Sequence, residues 1–333
     1  MPWESTGHDE LWCKTSVQFM GFYIFTYICL AVFLVAALYR VYRQLTLPVH
    51  VRWEIYPVQH ESAKRRAYGG SYMEDVDWWK SPYETSAVNE LKYMTPEILL
   101  LRGLWKENKR LWWLSFPFHL GLYLMLVNVV FLLIAAVFTL WSPTTYAEGG
   151  ILRLMMDMLI VASGWFGIIA GFIGSLGLLY MRLADRDMKL YATPADYFNI
   201  VYILMFFLCA LLTIVFVDPF FVAAKSYLLG LLTVGTFAST YQPGQNVFGA
   251  LTIVLASLLA AYIPLTHMSH MFMKYFLYHK VKWDDAPSRP GSAIESAVLQ
   301  NLTLKPTWKA KHIGADGKKS WRDIASSTPN EMP

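Results

Sequence analysis

The chain has 333 residues, of which 56% are hydrophobic and only 16% charged, against roughly 25% charged in an ordinary soluble domain. Aromatic residues reach 16% and the mean hydropathy is +0.36, which excludes a disordered chain, a collagen-like fibre and a disulfide-stapled secreted domain. The net charge of +4 reflects an uneven placement of lysine and arginine along the chain rather than a nucleic-acid footprint, and no nucleic-acid partner is expected.

Five stretches carry no Lys, Arg, Asp or Glu: Val17–Tyr39, Phe116–Trp141, Met158–Met181, Tyr197–Val217 and Val247–Met273. Each exceeds the roughly 18–20 apolar residues that cross a hydrocarbon core about 30 Å thick. Inside lipid the backbone must satisfy its own hydrogen bonds, and helices do so. The expected fold is an all-α integral membrane protein, a five-helix transmembrane bundle with a cytoplasmic loop and a C-terminal tail. In chain order the segments are a periplasmic N-terminus (1–16), spans at 17–39, 116–141, 154–181, 197–217 and 247–273, a long loop at 40–115 and a tail at 274–333. An outer-side loop fills 218–246. The acidic flank of the first stretch, with Glu4, Asp9 and Glu10, and its length argue against a cleaved signal peptide.

Lysine and arginine are distributed unevenly. The segments on one side of the five spans carry 25 and those on the other carry 3. The positive-inside rule then places the N-terminus outside and the C-terminus in the cytoplasm. The expected location is the cytoplasmic membrane of a bacterium or archaeon. Cys13, Cys29 and Cys209 show no metal spacing.

In the 40–115 loop a basic run, Lys64-Arg65-Arg66, precedes an acidic Trp-rich stretch, Glu74-Asp75-Val-Asp77-Trp78-Trp79. Thr95-Pro96-Glu97 is predicted to open a helix running towards Lys109 and Trp113, with Thr95 as its cap. Between the fourth and fifth spans, Phe220–Phe237 is apolar but interrupted by Lys225 and Gly230, and reads as an interfacial or re-entrant segment. The tail passes through a turn-rich linker, Asp284–Gly291, to Trp308 and Trp321 in a polar setting with no core of its own. That arrangement suits docking to a partner or to the membrane surface.

Of eight histidines, His119, His267 and His270 fall inside the expected spans, where ionisable groups are costly and usually functional. His119 sits near the cytoplasmic start of the second span, and His267 and His270 near the cytoplasmic end of the fifth. A b-type haem takes two axial imidazoles, one from each of two helices. Gly121 beside His119 would let a flat macrocycle approach. The absence of Cys-x-x-Cys-His excludes covalent c-type attachment. A proton relay and a polar helix–helix contact are the rival readings of these histidines. Gly164, Gly167, Gly171, Gly174 and Gly177 form a small-residue stripe on the third span, read as tight helix packing, with room for a porphyrin or quinone tail as the weaker alternative. Arg153 and Asp157, four apart at its outer end, read as an exposed ion pair or, more sharply, as a quinone head-group site.

Phe118-His119-Leu-Gly121 at the start of the second span and Pro264…His270-Met-Phe272 at the end of the fifth resemble the membrane cytochrome b, or gamma, subunits of respiratory nitrate reductases. The five spans agree with that family. The resemblance implies that His119 and His270 ligate a proximal haem b. The positions matching the family's distal ligands are Val129 and Thr252, which cannot bind iron, so one haem is expected. His267 has no counterpart in the family's ligand set. It would be a propionate partner, or the ligand if the register shifts by one turn. The long first loop, Arg52-Trp-Glu-Ile-Tyr-Pro57 and the tail are more similar to the gamma-like subunits of heterodisulfide-reductase-related complexes of sulfate reducers, of the Tmc and Dsr type. This implies electron exchange with menaquinone and with a cytoplasmic iron–sulfur subunit, with a periplasmic multihaem cytochrome c as a further partner beside membrane lipid. The alternatives are a haem-free membrane anchor and a proton or solute transporter using the histidines.

Overall fold

The computed structural model describes residues 6–46, 76–77, 80, 86–141, 150–236, 243–278, 290–309 and 313–327. The runs at 50–57 and 64–66, Trp78-Trp79 and the linker residues 284–289 lie outside them. The helices are α1 (Thr6–Thr46), α2 (Ala87–Leu99), α3 (Arg102–Glu107), α4 (Lys109–Trp141), α5 (Ile151–Ala184), α6 (Arg186–Tyr191), α7 (Pro194–Phe216), α8 (Val222–Leu232), α9 (Val247–Leu265), α10 (His270–Tyr278), α11 (Ala293–Thr303) and α12 (Trp321–Ser326). No β-strand occurs among the described residues. Five helices, in α1, α4, α5, α7 and α9, are long and apolar enough to cross a membrane. The protein is an all-α, multi-pass membrane bundle. Large apolar side chains stand exposed along these helices, among them Val35, Leu38, Phe166 and Ile173, as surfaces facing lipid require.

The chain divides into two compact units, Met1–Ala36 with Pro96–Thr266, and Ala37–Thr95 with His267–Pro333. In the first, α5 packs between α4 and α7, and α7 packs on α9. Glycine makes the α4–α5 contact close. A Cβ at Gly121 would lie 2.4 Å from the Cα of Gly171, and one at Gly174 would lie 2.3 Å from the backbone nitrogen of Phe118. On the other side of α5, a Cβ at Gly171 would enter the ring of Phe207, and one at Gly164 the ring of Phe221. Below this crossing Leu132, Ala135, Ile160, Ile168, Ala210, Ile214 and Phe221 form a buried apolar cluster. Asn128 is buried within the pair. Its Nδ2 donates to the Ile160 carbonyl at 2.7 Å and lies 3.2 Å from Ser163 Oγ. Interhelical hydrogen bonds of this kind are worth about 1–2 kcal/mol at most. Asn128→Ala is expected to lower the thermal midpoint in detergent by a few degrees, and an unchanged midpoint would deny the bond any net value.

Four boundaries differ from the sequence reading. The helix expected to open at Thr95 opens at Ala87, because Ser86 Oγ already accepts the Asn89 N–H at 3.3 Å. Pro96 therefore lies inside α2, which ends three residues later. The segment after the fourth span is the short helix α8, packed into the bundle, which excludes the interfacial one of its two readings. Its Ala223, Ser226, Tyr227 and Gly230 are buried, and Ala224 and Leu228 pack on the apolar cluster. Helix α1 begins at Thr6, within the expected N-terminal segment. The fifth span, predicted to reach Met273, ends at Leu265. Pro264 removes a backbone donor near the helix end, and Thr266 is extended. The chain then makes a 3-10 turn at His267–Ser269 before α10.

In the tail, expected to lack a core, Pro306, Ala315 and Ile324 are buried. Trp308 and Trp321 meet edge to face, 5.7 Å between centroids. Helix α12 is held by a reciprocal cap. Asp323 accepts the Ser320 N–H at 2.9 Å, and Ser320 Oγ accepts the Asp323 N–H at 3.2 Å. The Ser320 hydroxyl, also donating to this carboxylate, holds the Asp323 carboxyl below its ordinary range. A depressed carboxylate stabilises above its unfolded pKa and loses that contribution as pH falls through the folded value. The cap should therefore hold at neutral pH and open in acid, below the ordinary value of 3.8. Ser320→Ala should raise amide exchange over residues 320–324 about fivefold at neutral pH, read by hydrogen–deuterium exchange mass spectrometry.

Candidate functional site

His119 is half-buried one turn into the apolar part of α4. Its Nδ1 lies 2.7 Å from the carbonyl oxygen of Ser115, with Ser115 Oγ 3.3 Å away. A carbonyl only accepts, so Nδ1 carries the proton. Phe118 meets the imidazole edge to face at 5.3 Å, and Tyr123 lies one turn on, its hydroxyl donating to Ile98 O at 2.9 Å.

His270 repeats this arrangement in the second unit. It opens α10, and its Nδ1 lies 3.1 Å from the His267 carbonyl. Both His267 and His270 are exposed. His267 begins the 3-10 turn after α9 and His270 opens α10, so neither lies within the fifth spanning helix, where both were expected. His119 belongs to the first unit and the other two to the second.

Donor chemistry fits an axially ligated haem. Ligating histidines almost always donate their second nitrogen to a carbonyl or carboxylate, which fixes the tautomer and the ring orientation. The expected role of Gly121 does not fit. That glycine is buried against Gly171 of α5, so it serves helix packing and offers no face to a macrocycle. The rest of the glycine stripe is likewise filled by protein: Gly177 faces Leu114 and Gly167 faces Leu124. Among the described residues, no group of three or more His, Cys, Asp or Glu is placed to hold a metal ion. No protein-family model matches this chain, and no curated protein or solved structure does either.

The positions equivalent to a distal ligand pair are occupied otherwise. Val129 is 39% exposed on the outside of α4. Thr252 Oγ1 lies 3.0 Å from Thr213 Oγ1 and donates to the Phe248 carbonyl. Neither side chain offers a donor nitrogen.

Arg153 and Asp157 form an ion pair at 3.6 Å with both side chains about half exposed, a contact worth at most about 1 kcal/mol. Lys225, read in the sequence only as an interruption, lies beside this pair, and Asp218, at the start of α8, was passed over. Burial of Lys225 on α8 pulls its ammonium pKa down, and the neighbouring Asp157 charge pulls it back up. Asp218 is buried, and its carboxylate accepts the Val222 and Ala224 N–H groups at 2.8 and 2.9 Å at the start of α8. Burial raises its pKa against those bonds. An acidic residue just ahead of an apolar run is a helix-start signal, which would have located Asp218. Sequence reasoning also missed the hydroxyl cluster that ties α1 to α8 and α9. Thr26 Oγ1 lies 2.7 Å from Tyr227 OH and 2.8 Å from Ser257 Oγ, and Tyr27 donates to the Leu231 carbonyl. Nothing in the local sequence pairs residues more than two hundred positions apart.

Proposed function

We propose that the protein is the haem b-carrying membrane subunit of a respiratory redox complex. It passes electrons between the menaquinone pool and a cytoplasmic iron–sulfur subunit of the heterodisulfide-reductase type, with a periplasmic multihaem cytochrome c as a further partner. The observation that carries this reading is the same backbone contact at His119 and His270. Each ring is held through Nδ1 by a carbonyl one turn back, the arrangement that orients a ligating histidine for bonding through Nε2. The bound haem would supply a one-electron carrier. The chain's own part is to present two oriented imidazoles and to raise their basicity through the carbonyl bonds. Arg153 and Asp157, joined by Lys225, are the proposed contact for a quinone head group at the outer side. The proposed location is the cytoplasmic membrane, N-terminus outside.

Haem quantification by pyridine haemochrome on the purified full-length protein tests the reading. One haem b per chain is expected. None would leave the second reading, a haem-free anchor, which the end of α9 at Leu265 and the closed surface at Gly121 favour. Two would overturn the single-site assignment.

A further inference from the structure

A corner at the start of α4 is built from aromatic rings and positive charge. Leu101 takes a left-handed conformation, φ 52°, which turns the chain from α2 into the short helix α3. The corner is pinned on both sides. Glu97 accepts the Gly103 N–H at 3.0 Å, and Trp112 Nε1 donates to the Leu100 carbonyl at 2.7 Å. Trp105 then meets Trp112 edge to face at 4.7 Å, and Trp112 stacks on Phe116 at 4.6 Å. Lys109 Nζ sits 5.2 Å over the Trp105 ring.

This corner is exposed and its charge is one-sided. Arg102, Lys106, Lys109 and Arg110 all face out, against Glu107 in the same stretch and Glu97 on the Gly103 N–H. Arg110 is paired with Asp185 at 3.4 Å, and among the described residues no carboxylate forms an ion pair with Arg102, Lys106 or Lys109. Trp113 is 64% exposed and Trp105 39%. The stretch adjoins the first turn of a membrane-spanning helix. Indole rings settle at the head-group level of a bilayer, and lysine or arginine just outside a span is drawn to anionic lipid.

We propose that this corner binds the head group of an anionic phospholipid, with Arg102, Lys106 and Lys109 on the phosphate and Trp105 and Trp113 against the glycerol and upper acyl region. The charge complement selects the lipid: a zwitterionic head group brings its own cation into a field that is already positive. The proposal does not depend on haem.

Native mass spectrometry of the full-length protein in neutral detergent tests it, comparing retained phosphatidylglycerol with phosphatidylcholine of the same acyl chains. The wild type should retain phosphatidylglycerol preferentially. The triple variant Arg102→Gln, Lys106→Gln, Lys109→Gln should lose about tenfold of that retention, with phosphatidylcholine unchanged. A control triple in the tail, Lys305→Gln, Lys318→Gln, Lys319→Gln, should behave as wild type. On the wild type alone, raising salt from about 0.05 M to about 0.5 M should erode the preference. The proposal is overturned if neither lipid is preferred, if salt leaves the preference unchanged, or if the tail triple lowers retention as much as the corner triple.

Discussion

Gly121→Val should leave little folded bundle. The added Cβ alone would lie 2.4 Å from the Gly171 Cα and backbone nitrogen, and 2.8 Å from the Gly167 carbonyl oxygen. These are backbone atoms, and no rotamer relieves the clash. The α4 and α5 axes would have to part, which would also unpack Asn128 from Ile160 and Phe118 from Gly174. Ordinary overpacking costs about 1–3 kcal/mol, and a forced separation of two backbones lies at or beyond the upper end. Gly21→Ala supplies the contrast. Gly21 lies inside α1, and a Cβ there would meet nothing within 4 Å. It should be neutral or stabilising by about 0.5–1 kcal/mol, because glycine in a helix interior costs that much relative to alanine. Thermal unfolding in detergent followed by size exclusion reads both. A Gly121→Val protein that melts with the wild type would refute the close crossing.

The second large effect concerns the two oriented histidines. His119→Ala and His270→Ala should each remove the reduced b-type α band from the purified protein, while far-ultraviolet circular dichroism stays at the wild-type level. His267→Ala should retain the band, because the group that His270 uses is the backbone carbonyl of residue 267 and not its imidazole. Ser115→Ala should retain it for the same reason: the closer partner of His119 is the Ser115 carbonyl at 2.7 Å, and the hydroxyl is the farther one at 3.3 Å. Unchanged haem content in both His119→Ala and His270→Ala would sink the ligand assignment. Loss in His267→Ala with retention in His270→Ala would move the ligand by one turn.

The architecture was largely legible. Five uncharged stretches are visible without any coordinates, and each overlaps one of the five helices that can cross a membrane. Their ends were less so. Absence of charge marks where a helix enters lipid, yet the helix itself continues through charged residues. Helix α4 thus begins at Lys109 and α5 ends at Ala184, several residues outside the expected spans. The fifth span erred in the other direction. The apolar run continues to Met273, but Pro264 and the extended Thr266 stop the helix at Leu265, a break that hydropathy does not register. At the candidate site the three histidines were visible as residue types, while their exposure and the backbone contacts of His119 and His270 were not.

Span number and lipid preference follow from the chain alone, because partition into a bilayer is a property of local composition and of the backbone's need to bond to itself. Other decisions needed the folded chain. Gly121 sits beside a histidine in sequence, but its neighbour in space is Gly171, fifty residues away. Lys225 looks like a flaw in an apolar run, but burial pulls its ammonium pKa down while the Asp157 charge pulls it up. Which carbonyl each imidazole meets is likewise set by the fold. Close approach, burial and hydrogen-bond direction all arise between residues, so only the tertiary structure decides them.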